Sequence, residues 1–115
     1  MTPRSQAVGR FGERRAARWY TDRGYEVVAR NWRVREGELD LVLTRGRVLV
    51  ICEVKTRTST RFGDGFAAVT RTKQVRIRHL ATLFLREWQG ARPAQIRFDV
   101  ASVTPTSVEV IEEAF

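Results

Sequence analysis

The 115-residue chain has one cysteine, one histidine and, among its 21 basic residues, only two lysines. A single cysteine excludes an intramolecular disulfide and any cysteine-rich zinc site. Cys52 sits inside VLVICEV, where a small core residue is expected. The lone His79 falls on the Val75 and Arg86 side of a predicted helix, a solvent-facing position. No apolar run approaches the roughly 18 residues that span a membrane. The opening MTPRSQAVGR carries no apolar segment of the signal-peptide kind, so a reducing cytoplasm is the expected setting. There is no internal repeat, low-complexity tract or linker, and the length fits one domain over residues 1–115. A chain of this size buries roughly two-thirds of its unfolded surface, enough for a core without disulfides or structural metal.

What is abundant is positive charge, a formal net of +8. Charge of this size favours polyanions, nucleic acid first and an anionic membrane surface second, although a basic surface also serves solubility. The basic residues are spread along the chain, unlike those of a disordered tail. Nineteen are arginine, which makes Lys55 and Lys73 conspicuous. An ammonium is a compact point charge with rotatable donors, and the wide guanidinium fork does not replace it where that shape matters.

The apolar spacing predicts a helix over residues 5–23, with Val8, Phe11, Ala16 and Trp19 as its stripe and Gly24 as its stop. Strands follow over residues 25–34, 38–44 and 47–55, then a polar loop over 56–66. A second helix is expected over residues 70–89, capped by Thr70 and stopped by Gly90, burying Ile77, Leu80, Ala81, Phe84 and Trp88. A strand over 95–103 and a shorter one over 107–111 complete the chain. The first three strands suit an antiparallel meander. The fourth returns after a helical crossover, which suits a parallel placement. The fold class is therefore α/β, a mixed four- to five-stranded sheet flanked by helices in the order α-β-β-β-α-β-β.

The hairpin GELDLVLTRGRVLVICEVK carries acids where apolar core strands should have none. With Arg45-Gly46 as a two-residue turn, Asp40 faces Ile51 and Glu38 faces Glu53. Asp40 and Glu53 are then diagonal neighbours on one face, with Cβ atoms roughly 7 Å apart. Lys55 points to that face too, and Cys52 and Val54 to the other. Two unpartnered carboxylates repel and raise one pKa. A divalent cation such as magnesium removes the conflict and suits phosphodiester hydrolysis, with Lys55 orienting water or stabilising the phosphorane. The competing account of Asp40, Glu53 and Lys55 is a salt-bridged sheet edge.

Glu13 shares a face of the first helix with Gly9, Ala17 and Tyr20, and the small Gly9 and Ala17 let the helix approach the sheet; pairing with Arg18 is the alternative. Lys73 extends the inward face of the second helix, an unusual place for a lysine without an anionic partner. Asp99 interrupts a strand, and a nearby arginine is its expected partner. Arg57 and Arg61 follow Lys55 and can hold phosphate beside the acids. Arg30, Arg33 and Arg35, interleaved with Trp32, offer a second nucleic-acid contact zone, with Trp32 expected to pack.

The ordered segments FGERRAARWY, GYEVVARNWR, GELDLVL, EVKTR, KQVRIRHLA and RFDV make the chain resemble the YraN-like family, small bacterial proteins predicted to be endonucleases. That family in turn resembles archaeal Holliday-junction resolvases and the PD-(D/E)xK nuclease superfamily, with a restriction-endonuclease-like sheet between helices. The resemblance implies that Asp40 and Glu53 are metal ligands, that Lys55 is the catalytic lysine, and that Glu13 reaches the same metal. It places Glu38 and Lys73 just outside the ligands. Leu39 stands where the superfamily name expects proline. Resolvase-like relatives work as symmetric pairs, which implies a homodimer.

The expected function is thus a magnesium- or manganese-dependent endonuclease on nucleic acid, DNA first, with branched or single-stranded structures as candidate substrates. The alternative is a non-catalytic nucleic-acid-binding module on the same fold. A third reading is an adaptor whose basic face binds an acidic protein.

Overall fold

The computed structural model describes residues 3–57 and 69–115, with side chains from residue 7 onward. Helix α1 spans Pro3–Thr21, and strands β1 (Glu26–Val34), β2 (Gly37–Arg45) and β3 (Val48–Thr56) follow. Helix α2 (Arg71–Glu87) leads to β4 (Gln95–Val103) and β5 (Val108–Ile111). The strands lie side by side in sequence order. Only the β3–β4 pair is parallel, because α2 carries the chain back across the sheet between them. The mixed α/β architecture expected from the sequence is therefore the one observed.

Local chemistry explains the boundaries. Proline is tolerated at the first position of α1, where its missing N–H would have no partner in any case. The helix stops at Thr21, two residues earlier than expected, and Gly24 at φ +86° turns the chain into β1. Thr70 caps α2 by accepting the Lys73 backbone N–H at 3.2 Å, as its position suggested. The far end of α2 differs from expectation. Trp88 is already extended and outside the helix; its indole N–H donates to the Ala91 carbonyl at 3.0 Å while the ring tilts against Phe84.

Alternation of the strands divides the core in two. Leu41, Leu43, Val50, Cys52, Ala101 and Val103 pack beneath Ala16, Ala17 and Tyr20 of α1. Val42, Leu49, Ile51 and Phe98 pack on the opposite face against Ile77, Leu80, Ala81 and Phe84 of α2. Cys52 is fully buried, His79 is exposed, and Trp32 packs edge-on against Phe84, each as its surroundings in the sequence implied.

The hairpin register is a correction. Arg45 pairs with Val48 and Leu41 with Cys52, so the turn is Gly46-Arg47 rather than Arg45-Gly46. Gly46 has φ +59°, the left-handed backbone that this turn demands of its first residue. The two-residue shift in pairing keeps residues 41–45 of β2 on their expected faces. Continued one residue past the Leu41–Cys52 pair it brings Asp40 to the level of Glu53, but the common face expected for Asp40 and Glu53 is lost because β2 breaks its alternation between Leu39 and Leu41.

Gly12 is where α1 comes closest to the sheet. A Cβ there would overlap the Thr56 hydroxyl and lie 2.9 Å from the Thr56 Cβ. Gly12→Ala should therefore lose about 1–3 kcal/mol by overpacking. Gly9→Ala in the same helix meets nothing within 4 Å and should gain roughly 0.5–1 kcal/mol from helix propensity. Urea unfolding of the two variants checks the contrast; equal shifts would show that α1 does not press on Thr56.

Candidate active site

Asp40 lies at a break in the sheet. In a regular strand Leu39 and Leu41 would share a face, but Leu39 packs with α2 and Leu41 with α1. Across β1, Trp32 pairs with Leu39 and Arg30 with Leu41, which places Asn31 beside Asp40. Asn31 has φ +50°, a conformation that asparagine tolerates far better than β-branched residues. Both strands thus change faces at the Asn31–Asp40 level. The Asp40 carboxylate is directed across at β3, where it accepts the Val54 N–H at 2.8 Å just beyond the last paired residues, Leu41 and Cys52.

Two groups of charge meet there. Single carboxylate oxygens of Glu13, Glu38 and Asp40 lie within 4.8 Å of one another, brought together from α1 and β2. On the α2 face of β3, Glu53 is buried and receives the Lys73 ammonium at 3.3 Å. Lys55, two residues on, is near enough to feel the Lys73 amine as well. Lys73 therefore has the anionic partner that its inward position required.

The electrostatics follow from burial and crowding. Burial, with the Glu53, Glu13 and Glu38 carboxylates adding to it, pushes the Asp40 pKa up to about 7, against the opposing pull of the Val54 N–H. Burial and Glu38 also raise Glu13, partly offset by a hydrogen bond from Asn31. Burial and the neighbouring Lys73 ammonium lower Lys55. At Lys73 burial opposes the charge, but Lys55 and Glu53 outweigh it and hold the pKa up.

This arrangement has a pH signature. Unfolded, Asp40 should titrate near about 3.9; folded without a cation it titrates near about 7. Between those values the folded state holds a proton that the unfolded state has released. Stability should therefore fall as pH rises from about 4 to about 7 in chelator, and the fall should be shallower in Asp40→Asn. Urea titrations across that range check it; identical slopes for the two proteins would contradict the crowded placement of Asp40.

The remaining candidates are dispersed. Glu38, expected outside the ligands, is inside the carboxylate group, while Glu53 is turned toward Lys73. Arg33 is spent on Glu38, its Nε donating at 3.0 Å. Arg30 and Arg35 are exposed on β1 and in the turn after it. Arg57 follows β3, its backbone N–H bound to the Val103 carbonyl at 2.8 Å, and Arg61 lies outside the described residues. Arg18 pairs with Asp22, so the alternative partner proposed for Glu13 is taken. Asn31 escaped the sequence reading; the available signal was an asparagine in the middle of a strand of β-branched and aromatic residues.

Residues 12–103 match the family model described as Uncharacterised protein family UPF0102. The chain belongs to the UPF0102 family. A UPF0102 protein of Frankia alni is 50% identical over 114 residues, covering 95% of this chain and 94% of the relative. One from Nocardia farcinica is 52% identical over 101 residues, with 88% and 79% covered. One from Symbiobacterium thermophilum is 48% identical over 101 residues, with 88% and 85% covered. UPF0102 membership is consistent with the YraN-like resemblance, and the matched span contains all six charged residues of the site, from Glu13 to Lys73. No helix among the described residues is long and apolar enough to cross a membrane.

Proposed function

We propose that this UPF0102 chain is a divalent-metal-dependent endonuclease that hydrolyses phosphodiester bonds in nucleic acid, DNA in the first instance. The observation that carries the reading is the convergence of Glu13, Glu38 and Asp40 oxygens within 4.8 Å beside the Lys73–Glu53 ion pair. All the donors are hard carboxylate oxygens, which fit magnesium or manganese. Such an ion, when bound, neutralises charge on the scissile phosphate and makes water acidic enough to attack. Glu13, Glu38 and Asp40 would hold it, with Glu53 joining as Lys73 turns to a phosphate oxygen. Lys55, whose pKa burial and Lys73 draw below that of an ordinary lysine, would orient the attacking water. Lys73 keeps its charge and offsets the negative charge that grows on the phosphoryl oxygens.

The same ion pair supports the second reading. While Glu53 stays with Lys73 and Glu38 with Arg33, two of the four acids are neutralised by the chain itself. A protein that only binds nucleic acid would use that state. The test is incubation of a labelled branched and a labelled single-stranded DNA with magnesium, manganese or chelator. Metal-dependent cleavage is expected; binding that survives chelator, with no cleavage in either metal, would favour the binding module.

A further inference from the structure

On the α1 face beside the carboxylates, an open groove of about 360 Å³ runs between α1 and β1, lined by Arg10, Glu13, Arg14, Arg30 and Asn31. A neighbouring groove of about 280 Å³ follows the same two elements and is lined by Arg14, Ala17, Arg18, Thr21 and Arg30. Arg14 and Arg30 line both, so the two adjoin as a furrow along α1, with Glu13 on the wall of the first between Arg10 and Arg14.

Apart from Glu13, every charged residue on its walls is arginine. Arg10, Arg14 and Arg18 recur every fourth residue and are all exposed. The helical rise sets them about 6 Å apart along the axis, close to the separation of successive phosphates on one strand. Like charges at this spacing weaken an isolated helix by a few tenths of a kcal/mol per pair, and the fold does little to offset them. Among the described residues the Arg14 side chain makes no hydrogen bond or ion pair. The Arg18–Asp22 pair has side chains 79% and 58% exposed, a solvated contact that a phosphate can displace. Ala17, buried and small, forms part of the floor.

We infer that this furrow is the path of one nucleic-acid strand, held by its phosphates and carried past Glu13, where the carboxylates gather. Its destination rests on the nuclease reading; the binding does not. The furrow moves the contact zone from the Arg33 and Arg35 side of β1 to Arg10, Arg14, Arg18 and Arg30.

Fluorescence anisotropy in chelator with a labelled single-stranded oligodeoxynucleotide tests it. Arg10→Ala/Arg14→Ala is compared with native protein and with Arg47→Ala/Arg86→Ala, which removes equal charge near the hairpin turn and the end of α2. Loss of two phosphate contacts should reduce the log–log salt slope by about 1.4, or weaken binding about 25-fold at roughly 0.1 M salt. The control should stay within about twofold of native on the same counterion accounting. Thermal melts establish that each variant is folded. An equal loss in the control, native-like binding by the furrow variant, or no binding by native protein would overturn the furrow. Furrow-dependent binding by a native protein that cleaves nothing with manganese would instead sink the nuclease reading and leave the furrow standing.

Discussion

Asp40→Asn should reduce metal-dependent cleavage by about 10²–10³-fold or more, a loss on the scale of removing a preorganised electrostatic group from a reacting centre. The substitution is nearly isosteric, and the amide oxygen can still accept the Val54 N–H that the carboxylate holds at 2.8 Å. What disappears is the charge where β2 and β3 part, flanked by Glu13 and Glu38. Removing it also relieves the crowding that raises the Asp40 pKa, so the variant should be at least as stable as the native chain above pH 7 without metal. Lys55→Met should lose cleavage to a similar degree while keeping its aliphatic stem and its fold. Initial rates with manganese, alongside thermal melts, give the answer. If either folded variant cuts as fast as the native protein prepared in the same way, the activity belongs to a contaminant or to another site.

Asp99→Ala should cost about 3–5 kcal/mol, a large part of the roughly 5–15 kcal/mol that holds a domain together. Asp99 is fully buried. It accepts the Tyr20 hydroxyl at 2.7 Å and two Arg97 donors at 2.9 Å each, and the Glu113 N–H at 3.1 Å. Without it the buried Arg97 guanidinium keeps, among the described residues, the Tyr25 hydroxyl and Glu112, and the Tyr20 hydroxyl loses its Asp99 acceptor. The network also ties α1 to β4, so the helix that carries Glu13 should loosen. Asp99→Asn retains one acceptor oxygen and should lose less. Urea midpoints with unchanged m-values measure both; a loss under about 1 kcal/mol for alanine would mean that the pair contributes little to the fold.

Much of this architecture was legible in the residues. Strand β4 runs over Gln95–Val103, the span its residues indicated, because a β-branched and aromatic run between turn signals has few other solutions. Thr70 marked the start of α2 through its hydroxyl, and Lys73 announced an anionic partner by lying on an inward face. The arginine expected beside Asp99 is Arg97, two residues away on the same strand. Helix ends were less legible: Trp88 suits a helical stripe, yet its ring reaches Phe84 from outside the helix.

The sequence by itself determined the order of elements, the two apolar faces of the sheet and the identity of the charged residues that interrupt them, since each follows from short-range periodicity. Only the tertiary structure decided how those charges meet. The turn slid by one residue, shifting the pairing by two and bringing Asp40 to the level of Glu53 just past the last pair, and both strands switch faces beside the left-handed Asn31. Glu38 joined Glu13 and Asp40, while Glu53 went to Lys73. Side-chain direction along a strand is a local property with a period of two; a break in it depends on the partner strand's backbone, which no single stretch of sequence specifies.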